Sequence, residues 1–302
     1  MSNSYRRNHF IPKFYLKNFT FDGSHLYVLD KETIGTNRLS VKEKSPKQIC
    51  YERDRYTLFN KEGKHSPVLE ESCYGLYDRT HSATIEYLTS IDFSKLAWSV
   101  ETQANLHMFL RLLFLRSPIS DDLFRTILES MKSMEELGIG LWNSIANEWV
   151  TDSEMHRKVF EDANMRKALR PLLAHHSIMA TKPSSKHDDL EWRIVRRETK
   201  QGKNLAGDTP IIFKSVPNSM DEFRGALVIP ISSERSLIRI REDYDGYYHK
   251  ELLQDLTILH QSKRFVVSSD EDYLHFVLNK YLEIQKSESS GSLTDFIFDR
   301  YG

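Results

Sequence analysis

Cysteines are scarce in this sequence, and long apolar runs are missing. Cys50 and Cys73 are the only two cysteines in 302 residues, and neither has a second cysteine at the spacing of a zinc knuckle or a CxxC redox site. We therefore expect no cysteine metal site and no disulfide framework. No run reaches the roughly 18 apolar residues of a membrane span, and no signal-peptide pattern follows the start. We expect a soluble, cytoplasmic protein that has no membrane partner.

An excess of charge of either sign is also missing. The chain has 42 Lys and Arg against 43 Asp and Glu, which gives a net charge of −1. Proteins that bind nucleic acid over a broad surface are usually strongly basic, so the balance excludes that class and leaves only a local basic patch. The fractions of hydrophobic (39%) and charged (28%) residues are typical of a globular chain and not of a disordered one.

The common catalytic fingerprints do not occur either. The sequence contains no GxxxxGK[ST], GxGxxG, GxSxG or HExxH, and these patterns mark phosphate-binding loops, dinucleotide sites, serine hydrolases and zinc proteases. A catalytic site in this chain would therefore have to be assembled from residues that are scattered along the sequence.

The spacing of apolar residues changes in a clear order along the sequence. Residues 1–66 form a small β-rich unit, 67–181 have helical spacing, and 187–302 read as strands followed by helices. Such segregation favours an α+β fold over alternating βαβ units. We predict one domain, 1–302, in which the second β section joins a mixed or antiparallel sheet and helices end the chain.

Three local patterns carry more specific predictions. We predict helices over 142–150 and 155–178, with a break at Pro171. The apolar run 226–231 predicts a strand, and Pro230 near its end favours an edge position or a bulge because proline cannot donate to a sheet. We also expect a short helix over 12–19 that packs into the core.

Six separated motifs, taken in chain order, resemble one known family. The resemblance is to the family catalogued as domain of unknown function 4238, and it covers residues 9 to about 268. It implies a shared fold and leaves the activity open. Two positions depart from the family pattern: Thr209 stands where the family has asparagine, and the family's second helical acid falls near Tyr77-Asp78. The motifs are His9-x-x-Pro12-x-Phe14-Tyr15-Leu16-x-x-Phe19, Asp30-Lys31, Leu69-Glu70, Phe109-x-x-x-x-Phe114-x-Arg116-Ser117-Pro118, Gly207-Asp208-Thr209-Pro210 and Ile229-Pro230-Ile231-Ser232.

Four polar residues of these motifs are candidates for chemistry. His9 lies among aromatics and cations, and as a neutral imidazole it suits a general base or a metal ligand; the alternative is a half-buried histidine bonded to backbone. Asp208 lies in a Gly-to-Pro turn that presents its carboxylate to a site, or else bonds its own backbone in an Asx turn. We predict catalytic roles for His9, Asp208 and Arg116.

The remaining candidate roles concern metal and anion binding. Glu70, at a helix start, would ligate a divalent metal such as Mg²⁺ together with Asp208; the alternative is an acid that complements the helix dipole. Arg116, in an apolar helix, either binds an anion or forms a buried ion pair, with Asp208 or Glu70 as the expected partner. Finally, four cations in a segment without acids predict nucleic-acid or anion contact, against the alternative of a solvated face. They are Arg6, Arg7, Lys13 and Lys17.

Two hypotheses follow. The first is a metal-dependent hydrolase or nuclease that acts on an anionic substrate, in bacterial or phage conflict (antiviral defence), and it expects His9, Glu70, Arg116 and Asp208 to converge in one cleft. The second is a non-catalytic interaction or structural protein that binds a protein or nucleic-acid partner. It expects the same four residues in separate caps, turns and ion pairs.

Overall fold

A computed structural model describes the chain over residues 7–36, 41–60, 62–92, 98–130, 142–143, 147–180, 190–198, 202–214, 225–241 and 251–286. Its helices are α1 (Lys13–Lys17), α2 (Gly75–Ser90), α3 (Val100–Arg116), α4 (Asp121–Ser130), α5 (Asp152–Glu161), α6 (Ala163–Ala180), α7 (Glu251–Gln261) and α8 (Glu271–Lys286), and a π-helical turn, Leu69–Tyr74, leads into α2. Its strands are β1 (Arg7–His9), β2 (Leu26–Asp30), β3 (Val41–Lys44), β4 (Tyr51–Arg53), β5 (Leu58–Phe59), β6 (His65–Ser66), β7 (Trp142–Asn143), β8 (Glu148–Trp149), β9 (Leu190–Arg196), β10 (Ala206–Gly207), β11 (Ile212–Phe213), β12 (Leu227–Pro230), β13 (Arg235–Arg241) and β14 (Phe265–Ser268).

In the described residues, two four-stranded antiparallel sheets contain eight of the strands, and the other six form the pairs β1-β4, β5-β6 and β7-β8. One has the order β10-β14-β2-β3 and the other β11-β12-β13-β9. In the first sheet Val28 of β2 faces Val267 of β14, so the two ends of the sequence share one sheet. The predicted α+β fold is confirmed: strands come first, helices occupy the middle, and a helix follows the last strand.

Helix α3 lies at the centre of the helical block. It begins where the Ser99 Oγ accepts the Thr102 N–H at 3.0 Å, which is a standard N-cap. Every side chain from Phe109 to Arg116 is buried, so this helix is surrounded by protein at its C-terminal half. It ends at Arg116, because Pro118 disfavours a helical backbone at the preceding residue, and Ser117 is accordingly extended.

The aromatic opening segment packs against both the helices and a sheet. Leu16 and Phe19 are fully buried, and the Phe14 ring lies 5.9 Å from the ring of Phe109 in α3. The Tyr15 hydroxyl donates to the Pro230 carbonyl at 2.6 Å. This segment therefore fixes β1 and its last residue, His9, against the end of α3.

Three local predictions are wrong, each for a physical reason. Residues 142–150 do not form a helix, since β7 and β8 pair there as a short antiparallel hairpin. The break in 155–178 occurs at Asp162, whose carboxylate accepts the Asn164 N–H at 2.6 Å and caps α6, while Pro171 lies inside that helix. Strand β12 is an inner strand, and Pro230 is tolerated because it is the last residue of the strand.

No helix in the described residues is long and apolar enough to cross a membrane.

Candidate functional site

Arg116, the last residue of α3, connects several elements that are distant in sequence. Its side chain is 2% exposed. The Nη1 atom donates to Asp78 Oδ1 on α2 at 2.5 Å, and the Nη2 atom donates to the His9 carbonyl at 2.9 Å. The guanidinium carbon lies 4.6 Å from the ring centre of Tyr74 and 5.9 Å from that of Tyr56, within cation–π range. We call this set the Arg116 cluster.

The acid that pairs with Arg116 is Asp78, and neither Asp208 nor Glu70, the partners expected from the sequence, takes that place. A signal for Asp78 did exist, because the second helical acid of the resembled family falls near Tyr77-Asp78. Burial lowers the pKa of Arg116 and the charge of Asp78 raises it, and the net shift is upward. The guanidinium therefore keeps its charge in the interior.

His9 brings a neutral imidazole to the Arg116 cluster. Its side chain is 7% exposed, and its Nε2 has no hydrogen-bond partner in the described part of the chain. The pKa of His9 is lowered to about 4, mainly by burial and also by the charges of Lys13 and Arg116, while backbone hydrogen bonds at Lys47 and Pro46 act in the opposite direction. At neutral pH the ring is uncharged, and its Nε2 is available for a proton or a hydrogen bond.

Glu70 lies in the π-helical turn and faces the same charge, so we include it in the Arg116 cluster. Burial raises its pKa, the Arg116 charge lowers it, Asp78 raises it and Lys13 lowers it, and the net shift is upward. Its Oε2 atom is buried and has no hydrogen-bond partner among the described residues. The environment thus lowers the pKa of His9 and raises that of Glu70, so that a carboxylic acid and a neutral imidazole coexist over a wider pH range than in water.

In the described part of the molecule, four polar atoms of the Arg116 cluster have no hydrogen-bond partner. A buried polar atom without a partner costs about 1–3 kcal/mol, so native proteins retain few of them, and a catalytic role is one recognised reason for keeping one. The effect of the Arg116 charge on the pKa values of His9, Glu70 and Tyr74 shows that all four side chains share one electrostatic environment. The unpartnered atoms are His9 Nε2, Glu70 Oε2, Tyr74 Oη and Arg116 Nε.

Asp208 has a different environment. Its Oδ1 accepts the Lys263 N–H at 2.8 Å, and its Oδ2 accepts the Arg264 and Phe265 N–H groups at 2.7 and 3.0 Å. Its own carbonyl accepts the Ser117 hydroxyl at 3.0 Å. The carboxylate is therefore directed at the backbone that begins β14, and both of its oxygens are engaged. The structure brings His9, Glu70 and Arg116 together but does not turn the Asp208 carboxylate towards them.

Among the described residues, the structure does not add a further ligand to the predicted metal site. Within the described ranges, no group of three or more His, Cys, Asp or Glu side chains has an arrangement that could hold a metal ion. The metal-ligand roles of Glu70 and Asp208, and the catalytic role of Asp208, stay predictions.

Three of the four predicted anion-binding cations are described, and Arg6 lies outside the described residues. Arg7, Lys13 and Lys17 are exposed, and Arg7 lies over the Tyr51 ring at 5.1 Å. Lys13 and Lys17 are four residues apart on α1 and so share one face of that helix. Lys13 is the cation of this set whose charge acts on both His9 and Glu70. It therefore lies beside the Arg116 cluster.

A comparison with models of protein families finds a match. The model of a family described as protein of unknown function (DUF4238) matches residues 7–272. That range contains every residue of the Arg116 cluster. No curated protein and no solved structure matches the chain.

Proposed function

Since the chain belongs to the DUF4238 family, whose description assigns no activity, we propose from the site itself that the protein is a hydrolase that acts on an anionic substrate, with His9 and Glu70 as its acid–base pair. One observation carries this function. Two titratable side chains with oppositely shifted pKa values present unpartnered atoms beside the same buried charge. Pairs of groups whose environments shift their pKa values mark acid and base assignments in many enzymes.

The chemistry assigns one role to each group. For a phosphoester, the His9 Nε2 accepts a proton from water while the water oxygen bonds to phosphorus. The bond from phosphorus to the leaving oxygen breaks, and protonated Glu70 donates its proton to that oxygen. His9 then returns a proton to Glu70 through solvent, which restores the starting state. Positioned acid and base groups of this kind contribute about 10²–10⁴-fold each to a rate.

The anionic character of the substrate rests on the cations around the site. Lys13 lies close enough to shift the pKa values of both His9 and Glu70, and it is exposed at the N-terminal end of α1, with Lys17 one turn further along. No acidic residue occurs from Met1 to Thr20. The charged Lys and Arg side chains of that segment are all positive, so a phosphate group that reached the site from this side would meet no negative side chain there. This favours its approach.

Expression in bacteria tests this function and requires no choice of substrate. We expect the wild type to slow growth and to reduce the integrity of cellular RNA or DNA, and we expect His9→Gln to remove both effects at equal protein level. Glu71→Gln is the matched control, because Glu71 is the exposed neighbour of Glu70. Retention of the wild-type effects by His9→Gln would argue against this acid–base role.

A second function, a non-catalytic protein that binds a protein or nucleic-acid partner, is favoured by one specific observation. Asp208 and the Nη atoms of Arg116 are engaged in purely structural contacts. Salt-dependent binding of single-stranded RNA that Lys13→Gln/Lys17→Gln weakens and His9→Gln leaves unchanged, without any cleavage, would select this function. A role in conflict between bacteria and phage stays a prediction on which no structural observation bears.

A further inference from the structure

We propose that a second site, distinct from the Arg116 cluster, binds a small aromatic carboxylate. The site is a cavity of about 450 Å³ between the end of α3, the segment 209–214 and the end of α7. Its size falls within the range of small-molecule pockets, about 300–1,000 Å³. The inference does not depend on the proposed hydrolase function.

The inner wall of the cavity is aromatic and aliphatic. The rings of Phe114 and Phe213 meet edge to face, with centroids 5.7 Å apart and an interplanar angle of 85°. Ile211 is buried beside them, and half-buried Ile119 completes the apolar side. An edge-to-face pair offers both a ring face and a ring edge to a third flat ring, which is the arrangement that aromatic groups prefer. The wall therefore suits a planar hydrocarbon body.

The polar groups lie at the mouth of the cavity. Lys214 is exposed, and its ammonium group has no acidic partner among the described residues. His260 is exposed as well, and its Nδ1 lies 3.2 Å from the Tyr281 hydroxyl, so its other nitrogen remains for a ligand. None of the described side chains that line the cavity is acidic. Among the described residues, the rim of this apolar cavity therefore has one lysine and no acidic side chain, which favours an acid over an amine as the ligand.

The backbone that forms the wall is held in place by the protein itself. The Gln261 Nε2 donates to the Thr209 carbonyl at 2.6 Å and to the Ile211 carbonyl at 3.0 Å. Ser117 is likewise engaged, because its hydroxyl donates to the Asp208 carbonyl. The cavity is thus preformed, and a ligand gains affinity because little ordering is needed on binding.

Titration calorimetry with 2-naphthoate and with its neutral analogue 2-naphthamide tests this site. We expect saturable binding of 2-naphthoate and at least tenfold weaker binding of 2-naphthamide, since only the acid pairs with Lys214. Lys214→Met should weaken 2-naphthoate at least tenfold and leave 2-naphthamide unchanged. Lys280→Met, which removes a lysine of α8 that pairs with Glu283, is the matched control and should change neither affinity.

A second variant reports on the apolar wall. Ile119→Trp should block both probes, because the larger side chain fills the cavity from a half-buried position. If Ile119→Trp does not fold, Lys214→Met decides alone, since its side chain is exposed and its loss spares the core. Failure of 2-naphthoate to bind the wild type at millimolar concentration would overturn the proposal. So would binding that Lys214→Met leaves unchanged.

Discussion

Arg116 and Asp78 form an ion pair whose two ends differ in solvent access. The Nη1–Oδ1 distance is 2.5 Å, the arginine side chain is 2% exposed, and the aspartate side chain is 31% exposed. The acid thus neutralises a buried charge from the side nearer to solvent. Removal of one partner of a buried pair is costly because it leaves the other charge uncompensated in the interior. The pair therefore holds the last turn of α3 against α2 and, through the His9 carbonyl, against β1.

We expect Asp78→Asn to destabilise the protein by about 3 kcal/mol, the lower end for a broken buried pair. Chemical unfolding by urea at pH 7 measures the loss. Asp122→Asn is the control, because Asp122 pairs with Arg125 while 89% of its side chain is exposed, and exposed pairs contribute little. Equal stabilities of the two variants would contradict the role given to Asp78.

Replacement of Asp208 by asparagine should also destabilise the fold. Asparagine at this position would place its NH₂ group, a hydrogen-bond donor, against backbone N–H groups that now donate to the carboxylate oxygens of Asp208. We expect a loss of about 2–3 kcal/mol, as for bonds to a charged acceptor. Asp22→Asn serves for comparison, since exposed Asp22 also accepts two backbone N–H bonds, and it should lose less.

The Asp208→Asn variant also tests whether Asp208 acts in catalysis. If its role is structural, turnover per folded molecule stays at the wild-type level at a temperature where the variant is folded. A loss of turnover of about 100-fold without a loss of stability would instead support the catalytic role predicted from the sequence.

Stability should fall in mild acid because of two buried histidines. Burial lowers the pKa values of His9 and His81 to about 4, whereas both titrate near 6.5 when unfolded. Above pH 6.5 neither state holds these protons, so they have no effect there. Between 6.5 and about 4 the unfolded state binds them first, and each histidine should destabilise the native state by about 2 kcal/mol at pH 5.

A comparison of histidine variants separates the acid destabilisation caused by His9 from that of other titratable groups. The raised pKa values of Glu70 and Asp208 oppose it, because the native state binds those protons more readily as the pH falls. We therefore compare the drop in unfolding free energy from pH 7 to pH 5 in the wild type, in His9→Gln and in His65→Gln, whose side chain is exposed. His9→Gln should show the smallest drop. An equal drop in all three would show that the pKa of His9 is not lowered by burial.

Local sequence patterns predicted the structure correctly where a single property, hydrophobicity, decides it. The sequence predicted an apolar helix that holds Arg116 and a packed segment over 12–19, because hydrophobic burial alone decides both. Patterns failed at 142–150, where the two strands of the hairpin stabilise each other and neither signals its partner. They also failed at Pro171, since a break needs a capping residue and Asp162 supplies one.

Site residues were harder to predict than elements. The sequence singled out His9, Glu70 and Arg116 because each is a polar residue in a motif, and the structure places His9 and Glu70 near the Arg116 charge; their roles in a site stay predictions. The family resemblance pointed to an acid near Tyr77-Asp78, but the sequence around Asp78 does not show that this acid pairs with an arginine 38 residues away. Asp208 stays a predicted site residue, and the hydrogen bonds that its carboxylate accepts from the backbone of 263–265 are contacts that only the tertiary fold creates.

The pH dependence of turnover tests the central claim most directly. With the phosphodiester thymidylyl-thymidine as substrate, whose alkoxide leaving group needs a proton, the rate should rise above about pH 4, as His9 loses its proton, and should fall at higher pH, as Glu70 loses its own. Glu70→Gln should lower kcat at least 100-fold and remove the high-pH limb, and Glu71→Gln should leave both unchanged. Wild-type turnover with a flat profile, or equal turnover by Glu70→Gln and Glu71→Gln, would contradict the acid–base pair.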